Sequence, residues 1–184
     1  MRITETPLPG LLVIDPAVHG DERGFFLESW NARKLAESGV HAEFTQDNHS
    51  RSVKHVLRGL HYQAGVEAQG KLVRATLGEV FDVVVDLRRS SPTFGKWHGE
   101  VLSAANFRQI WVPPGMAHGF LVLSDVAEFQ YKCTGRWHRE SERTLAWNDP
   151  QVGVEWPLPD GALPVLSAKD RDGGASFTTC ETFP

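Results

Sequence analysis

The chain of 184 residues has only two cysteines, Cys133 and Cys180, which lie far apart and form neither a C-x-x-C pair nor a spaced metal pattern. That excludes a disulfide framework and a thiolate zinc site, and leaves two free thiols as the expectation. Apolar runs fall well short of the roughly 18 residues that a membrane span needs. The start, MRITETPLPG, lacks the hydrophobic core of a signal peptide, so a cytoplasmic protein without membrane contact is expected. Neither sign of charge dominates: 19 Lys and Arg stand against 23 Asp and Glu, interspersed, for a net charge of −4. Without a basic face, nucleic acid is not an expected partner, and an anionic ligand has to be held by local clusters. Internal repeats and low-complexity stretches are also absent, and the length suits one domain over residues 1–184.

What is present is a succession of short runs rich in Val, Leu, Phe and Trp, punctuated by Gly and Pro: LLVID, GFFLESW, EFTQDN, VLRGLHYQ, KLVRATL, EVFDVVVDL, WHGEVLS, RQIWVP, GFLVLS and AEFQYKC. This rhythm predicts an all-β sandwich or barrel of antiparallel strands. One helix is expected from Asn31 to Ser38, with Asn31 as N-cap and Gly39 as the stop. A hairpin-like join is expected at Leu77, Gly78 and Glu79, and a turn from Arg88 to Gly95. Beyond Trp147, Pro, Gly and Asp become denser, which predicts loops and short helices wrapping back over the barrel.

Alternation along strands sorts the side chains. Lys71 shares a face with Val73 and Ala75, Asp82 with Val80 and Val84, and Tyr131 with Phe129 and Cys133. Arg58 and His61 fall on opposite faces of a regular strand, but Gly59 lies between them, and a bulge there would turn both toward one interior. Taken singly, each residue has an ordinary reading: His61 a hydrogen-bonded core histidine, Tyr131 core, Asp170 a turn residue, Arg58 and Lys71 outward cations lying on apolar neighbours. Taken together, so many polar groups on the strands of one small barrel converge on one interior more readily than they scatter.

WVPPGMAHGF contains P-x-G-x-x-H as Pro113, Gly115 and His118, which resembles the second signature of the cupin jelly rolls. The first cupin signature needs H-x-H, and the chain has His61, Tyr62 and Gln63 at that place, so the usual three-histidine, one-carboxylate centre cannot be assembled.

DERGFFLES, FTQDNHS, VLRGLHYQ, AQGKLVRATLGEVFDVVVDLR, SPTFG, PPGMAHGF, AEFQYK, WNDPQVGVEWP and LSAKD follow one another over nearly the whole chain. In this the chain resembles the dTDP-4-dehydrorhamnose 3,5-epimerases, metal-free cupin-like enzymes of the dTDP-L-rhamnose pathway. The resemblance implies a jelly-roll barrel with one or a few short helices, no cofactor, no metal, a dTDP-sugar as small-molecule substrate, and a homodimer. It implies His61 as general base, Asp170 as its partner and Tyr131 as acid. Arg58, Lys71 and His118 match the cationic group around the keto oxygen and phosphates. Arg23, Glu28, Gln46, Asp47 and Asn48 match nucleotide contacts, and Glu142 and Lys169 further substrate positions. Phe26 is a candidate to stack on thymine. Alternatives are a single-carbon dTDP-sugar epimerase, a metal-dependent cupin enzyme and a sugar-nucleotide binding module without catalysis.

Such chemistry makes sense of the residue types. A ketone acidifies the hydrogens on its neighbouring carbons, yet they remain on the order of ten units weaker as acids than imidazolium. A preorganised donor at the developing enolate oxygen supplies about 3 to 4 kcal/mol. That accounts for a lysine kept on an inward strand face. An Asp that orients the imidazole and a base and acid on opposite sides of the sugar complete the requirement.

Overall fold

The computed structural model describes residues 1–184. Its strands are β1 (Arg2–Glu5), β2 (Leu12–Asp15), β3 (Val18–Asp21), β4 (Gly24–Leu27), β5 (Gln46–Val53), β6 (Leu57–Gln63) and β7 (Lys71–Leu77). There follow β8 (Glu79–Asp86), β9 (Trp97–Ser103), β10 (Gln109–Val112), β11 (Met116–Val122), β12 (Val126–Cys133) and β13 (Glu142–Thr144). Two short helices, α1 (Ala32–Ala36) and α2 (Ala168–Asp172), complete the chain, and no helix is long and apolar enough to cross a membrane.

Two antiparallel sheets form the jelly roll, one in the order β1-β2-β10-β7-β12-β5 and one in the order β13-β6-β11-β8-β9. Strand alternation decides what each face carries. Val73 and Ala75 of β7, Val80 and Val84 of β8 and Phe129 of β12 point between the sheets into one buried cluster. On the outer face of the second sheet, Val83, Val85 and Leu87 are covered by Val152, Trp156, Phe177 and Cys180. The segment rich in Pro and Gly therefore wraps the barrel as expected. On the outer face of the first sheet, Leu72 and Trp111 pack with Leu35 of α1.

The helix forms for the reasons legible in its sequence. Asn31 accepts a hydrogen bond from Lys34 N–H at the start. At the end Gly39 takes φ +82°, and the Gly39 and Val40 amides close onto Ala36 and Leu35 carbonyls. The join at Gly78 is different from a hairpin. β7 pairs with β10 and β12, whereas β8 pairs with β11 and β9, so Gly78 (φ +69°) passes the chain from one sheet to the other. The turn from Arg88 to Gly95 does join paired neighbours, β8 and β9. β3 and β4 stand apart as a two-stranded hairpin.

Candidate active site

A cavity of about 510 Å³ opens between the sheets. His61 enters it from β6 of one sheet, and Tyr131 from β12 of the other. The bulge anticipated at Gly59 is present: His118 opposes His61 and Phe120 opposes Arg58, so β6 carries one residue more than β11 over this stretch. Both Arg58 and His61 line the cavity in consequence. Glycine is required there, because Gly59 has φ +149° and an added Cβ would lie 2.7 Å from the Gly119 Cα.

His61 Nε2 and Asp170 Oδ1 are 2.5 Å apart. Asp170 comes from far along the chain, and its delivery is explicable. The Leu57 amide donates to Val165 O and the Val165 amide to His55 O, pinning the tail beside the start of β6. Ser167 then caps α2, accepting from the Asp170 amide at 3.1 Å while its hydroxyl donates to Asp170 Oδ2 at 2.9 Å. Burial alone would raise the Asp170 carboxyl, but the bond and charge of His61, the Ser167 hydroxyl and Lys169 outweigh it and hold the group below its ordinary value.

Tyr131 titrates above an ordinary phenol, mainly because it is buried and also because Cys133 is near, so its proton stays on at neutral pH. Lys71 is buried, and its Nζ donates to the His61 carbonyl at 3.3 Å. Burial pulls its pKa down, while Cys133, Asp82 and Glu142 pull the other way. His118 Nε2 lies 2.9 and 3.0 Å from the two oxygens of Asp82, which is fully buried. Burial pushes that carboxyl up, partly opposed by His118 and Lys71. Asp82 is thus the inward carboxylate that alternation predicted.

Around this centre, Arg58 Nε donates to Ser52 Oγ at 3.0 Å, and Lys169 Nζ lies 2.7 Å from Glu142 Oε1. Burial would raise Glu142, but Lys169 and the Trp137 indole lower it on balance. Gln46 and Asn48 face the cavity, joined by a 3.0 Å hydrogen bond. Asp47 does not: strand alternation sends it to the other face, where it pairs with Lys132 at 2.9 Å.

Three other candidates lie outside this cavity. Arg23 spends its guanidinium on Asp21 at 2.5 Å, Phe26 is 71 % exposed, and the Glu28 carboxylate is held by Lys34 at 2.7 Å and Asn31 at 3.0 Å. All three belong to the β3–β4 hairpin or the turn after it, which projects from the barrel. Sequence reasoning also missed lining residues. Ser167 carries a readable signal, the S-x-x-D cap within LSAKD. Trp137, Gln63 and Gln69 carry none, since the first lies in an aperiodic loop and amides occur everywhere on surfaces.

Residues 5–176 match the family model for dTDP-4-dehydrorhamnose 3,5-epimerase. The dTDP-4-dehydrorhamnose 3,5-epimerase of Pseudomonas aeruginosa is 58% identical over 185 residues, covering 100% of both chains. That of Salmonella typhimurium is 55% identical over 171 residues, covering 92% of each. Among solved structures, the dTDP-6-deoxy-D-glucose-3,5-epimerase of Legionella pneumophila, in complex with dTDP-4-keto-L-rhamnose, superimposes with a TM-score of 0.92 at 49% identity, over 98% of this chain and 94% of that one. With the cavity and its His-Asp pair set in a cupin-like barrel, these matches establish that the chain belongs to the dTDP-4-dehydrorhamnose 3,5-epimerase family.

Proposed function

We infer that the protein is a dTDP-4-dehydrorhamnose 3,5-epimerase that converts dTDP-4-dehydro-6-deoxy-D-glucose to dTDP-4-dehydro-L-rhamnose by inverting carbons 3 and 5. The observation that carries this reading is the His61–Asp170 pair and the protonated Tyr131 entering one cavity from opposing sheets, with Lys71 beside the histidine. Asp170 engages Nε2, leaving Nδ1 of His61 to accept the hydrogen from the carbon next to the ketone. Charge then develops on the carbon-4 oxygen, where Lys71 supplies a donor. Tyr131 returns a proton to the other face of the ring; the phenolate then takes a proton from solvent and the imidazolium releases one, which resets the pair for the next inversion. Asp170 stabilises the imidazolium formed in the first step.

Arg58 and Lys169 are the charged groups suited to the diphosphate, and Gln46 and Asn48 offer amides to the nucleotide. Trp137 is 53 % exposed at the rim and suits a flat base. Phe25 and Phe26, 63 % and 71 % exposed on a hairpin away from the barrel, are surplus apolar surface on a monomer. They are the natural contact of a homodimer, in which Arg23, Phe26 and Glu28 act at the cavity of the partner subunit.

Turnover in heavy water tests the reading. Two deuterons, at carbons 3 and 5, are expected in the product. One deuteron would make the enzyme a single-carbon epimerase, and none would leave only a binding module.

A further inference from the structure

The segment Thr134–His138, between β12 and β13, has no strand partner along its length, yet its backbone is held at four points. The Thr134 amide donates to Gly70 O at 3.0 Å, and the Gly70 amide to Thr134 Oγ1 at 2.9 Å. Gln69 Nε2 donates to Gly135 O at 2.7 Å. The Trp137 amide donates to Gln46 Oε1 at 2.9 Å, and the His138 amide to Gln63 Oε1 at 3.3 Å. Backbone groups outside the sheet need such partners, and here three side-chain amides provide them.

All three glutamines, and Trp137 itself, line the cavity. Amides suit this position, because they tie down a loop through a donor or an acceptor while adding no charge next to a bound diphosphate.

We propose that Gln69 and Gln63 are positioning residues for nucleotide binding, which hold the Thr134–His138 strap so that the Trp137 ring stands at the cavity rim ready to receive the base. The proposal rests on the reading of the cavity as a dTDP-sugar site. A free strap would have to be ordered each time ligand binds, at a cost in backbone and side-chain freedom, and that cost appears in affinity rather than in the chemical step. The two residues act through opposite polarities: Gln69 must donate and Gln63 must accept.

The test is a set of double-mutant cycles on the full-length protein, read by steady-state turnover and by dTDP titration of tryptophan emission, with Trp137→Phe identifying the part of the signal that belongs to Trp137. Gln69→Leu and Gln63→Leu are each expected to raise KM and the Kd for dTDP about three- to tenfold, as the loss of about one hydrogen bond implies, with kcat within about twofold. In a Trp137→Ala background, Gln69→Leu should cost nothing more. An equal cost in that background, a fall in kcat at unchanged KM, or a Trp137→Ala variant with wild-type affinity overturns the proposal. If the wild-type protein fails to bind dTDP at all, the reading of the cavity falls together with it.

Discussion

His61 and Tyr131 reach the same cavity from different sheets, so their contributions separate in experiment. If His61 takes the hydrogen, His61→Ala should lower turnover well below a tenth of wild type while dTDP affinity stays within about threefold, measured by steady-state kinetics and titration. Tyr131→Phe should leave the first step running: deuterium still washes from solvent into the substrate, while net inversion slows. If exchange and inversion decline together, the phenol is not the acid. At this scale the sequence is informative wherever alternation alone fixes direction, as for Lys71, Asp82 and Tyr131. It is uninformative where direction depends on something outside the strand. Asp47 shares a motif with Gln46 and Asn48, yet adjacent strand residues cannot face the same way, so a motif read as a block misplaces its middle member.

Between residues and fold stand the connecting elements, among them the β8–β9 turn. Asp86, fully buried at its start, accepts from the Arg88 amide and guanidinium and from the Ser91 and Thr93 hydroxyls. Burial would raise its pKa, but these donors bring it down to about 2. A carboxylate whose folded pKa lies below its unfolded value of 3.8 stabilises the fold fully above that value, and loses the contribution as pH falls toward about 2. The gap corresponds to about 2–3 kcal/mol. Asp86→Asn should therefore lower the urea midpoint at pH 7 by that equivalent, and the difference from wild type should narrow between about pH 4 and pH 2. The helix with its Asn31 cap, the bulge at Gly59 and the turn after Asp86 are legible because local chemistry dictates them. The crossover at Gly78 is not: glycine at positive φ serves a hairpin and a change of sheet equally well, and only the partners of β7 and β8 distinguish the two.

On the scale of the whole molecule, the β3–β4 hairpin is the feature that a lone barrel leaves unexplained. It touches the barrel through Phe25 against Phe107, at 4.7 Å between ring centroids. If the hairpin serves a second copy, Phe25→Ser/Phe26→Ser should shift the protein from dimer to monomer in sedimentation velocity. Circular dichroism should be unchanged, and turnover should fall at least about tenfold. A variant that stays dimeric and fully active would remove the hairpin from both roles.

The far position of Asp170 also bears on how the molecule comes into being. A ribosome makes every strand, and with them His61, Lys71 and Tyr131, before it reaches Val165, Ser167 and Asp170. A chain whose tail has not docked therefore holds His61 without its carboxylate partner. The same late segment that shields Val83 and Leu87 from water brings the histidine its carboxylate. Docking of the tail thus covers the outer face of the second sheet and sets the carboxylate beside His61 at once.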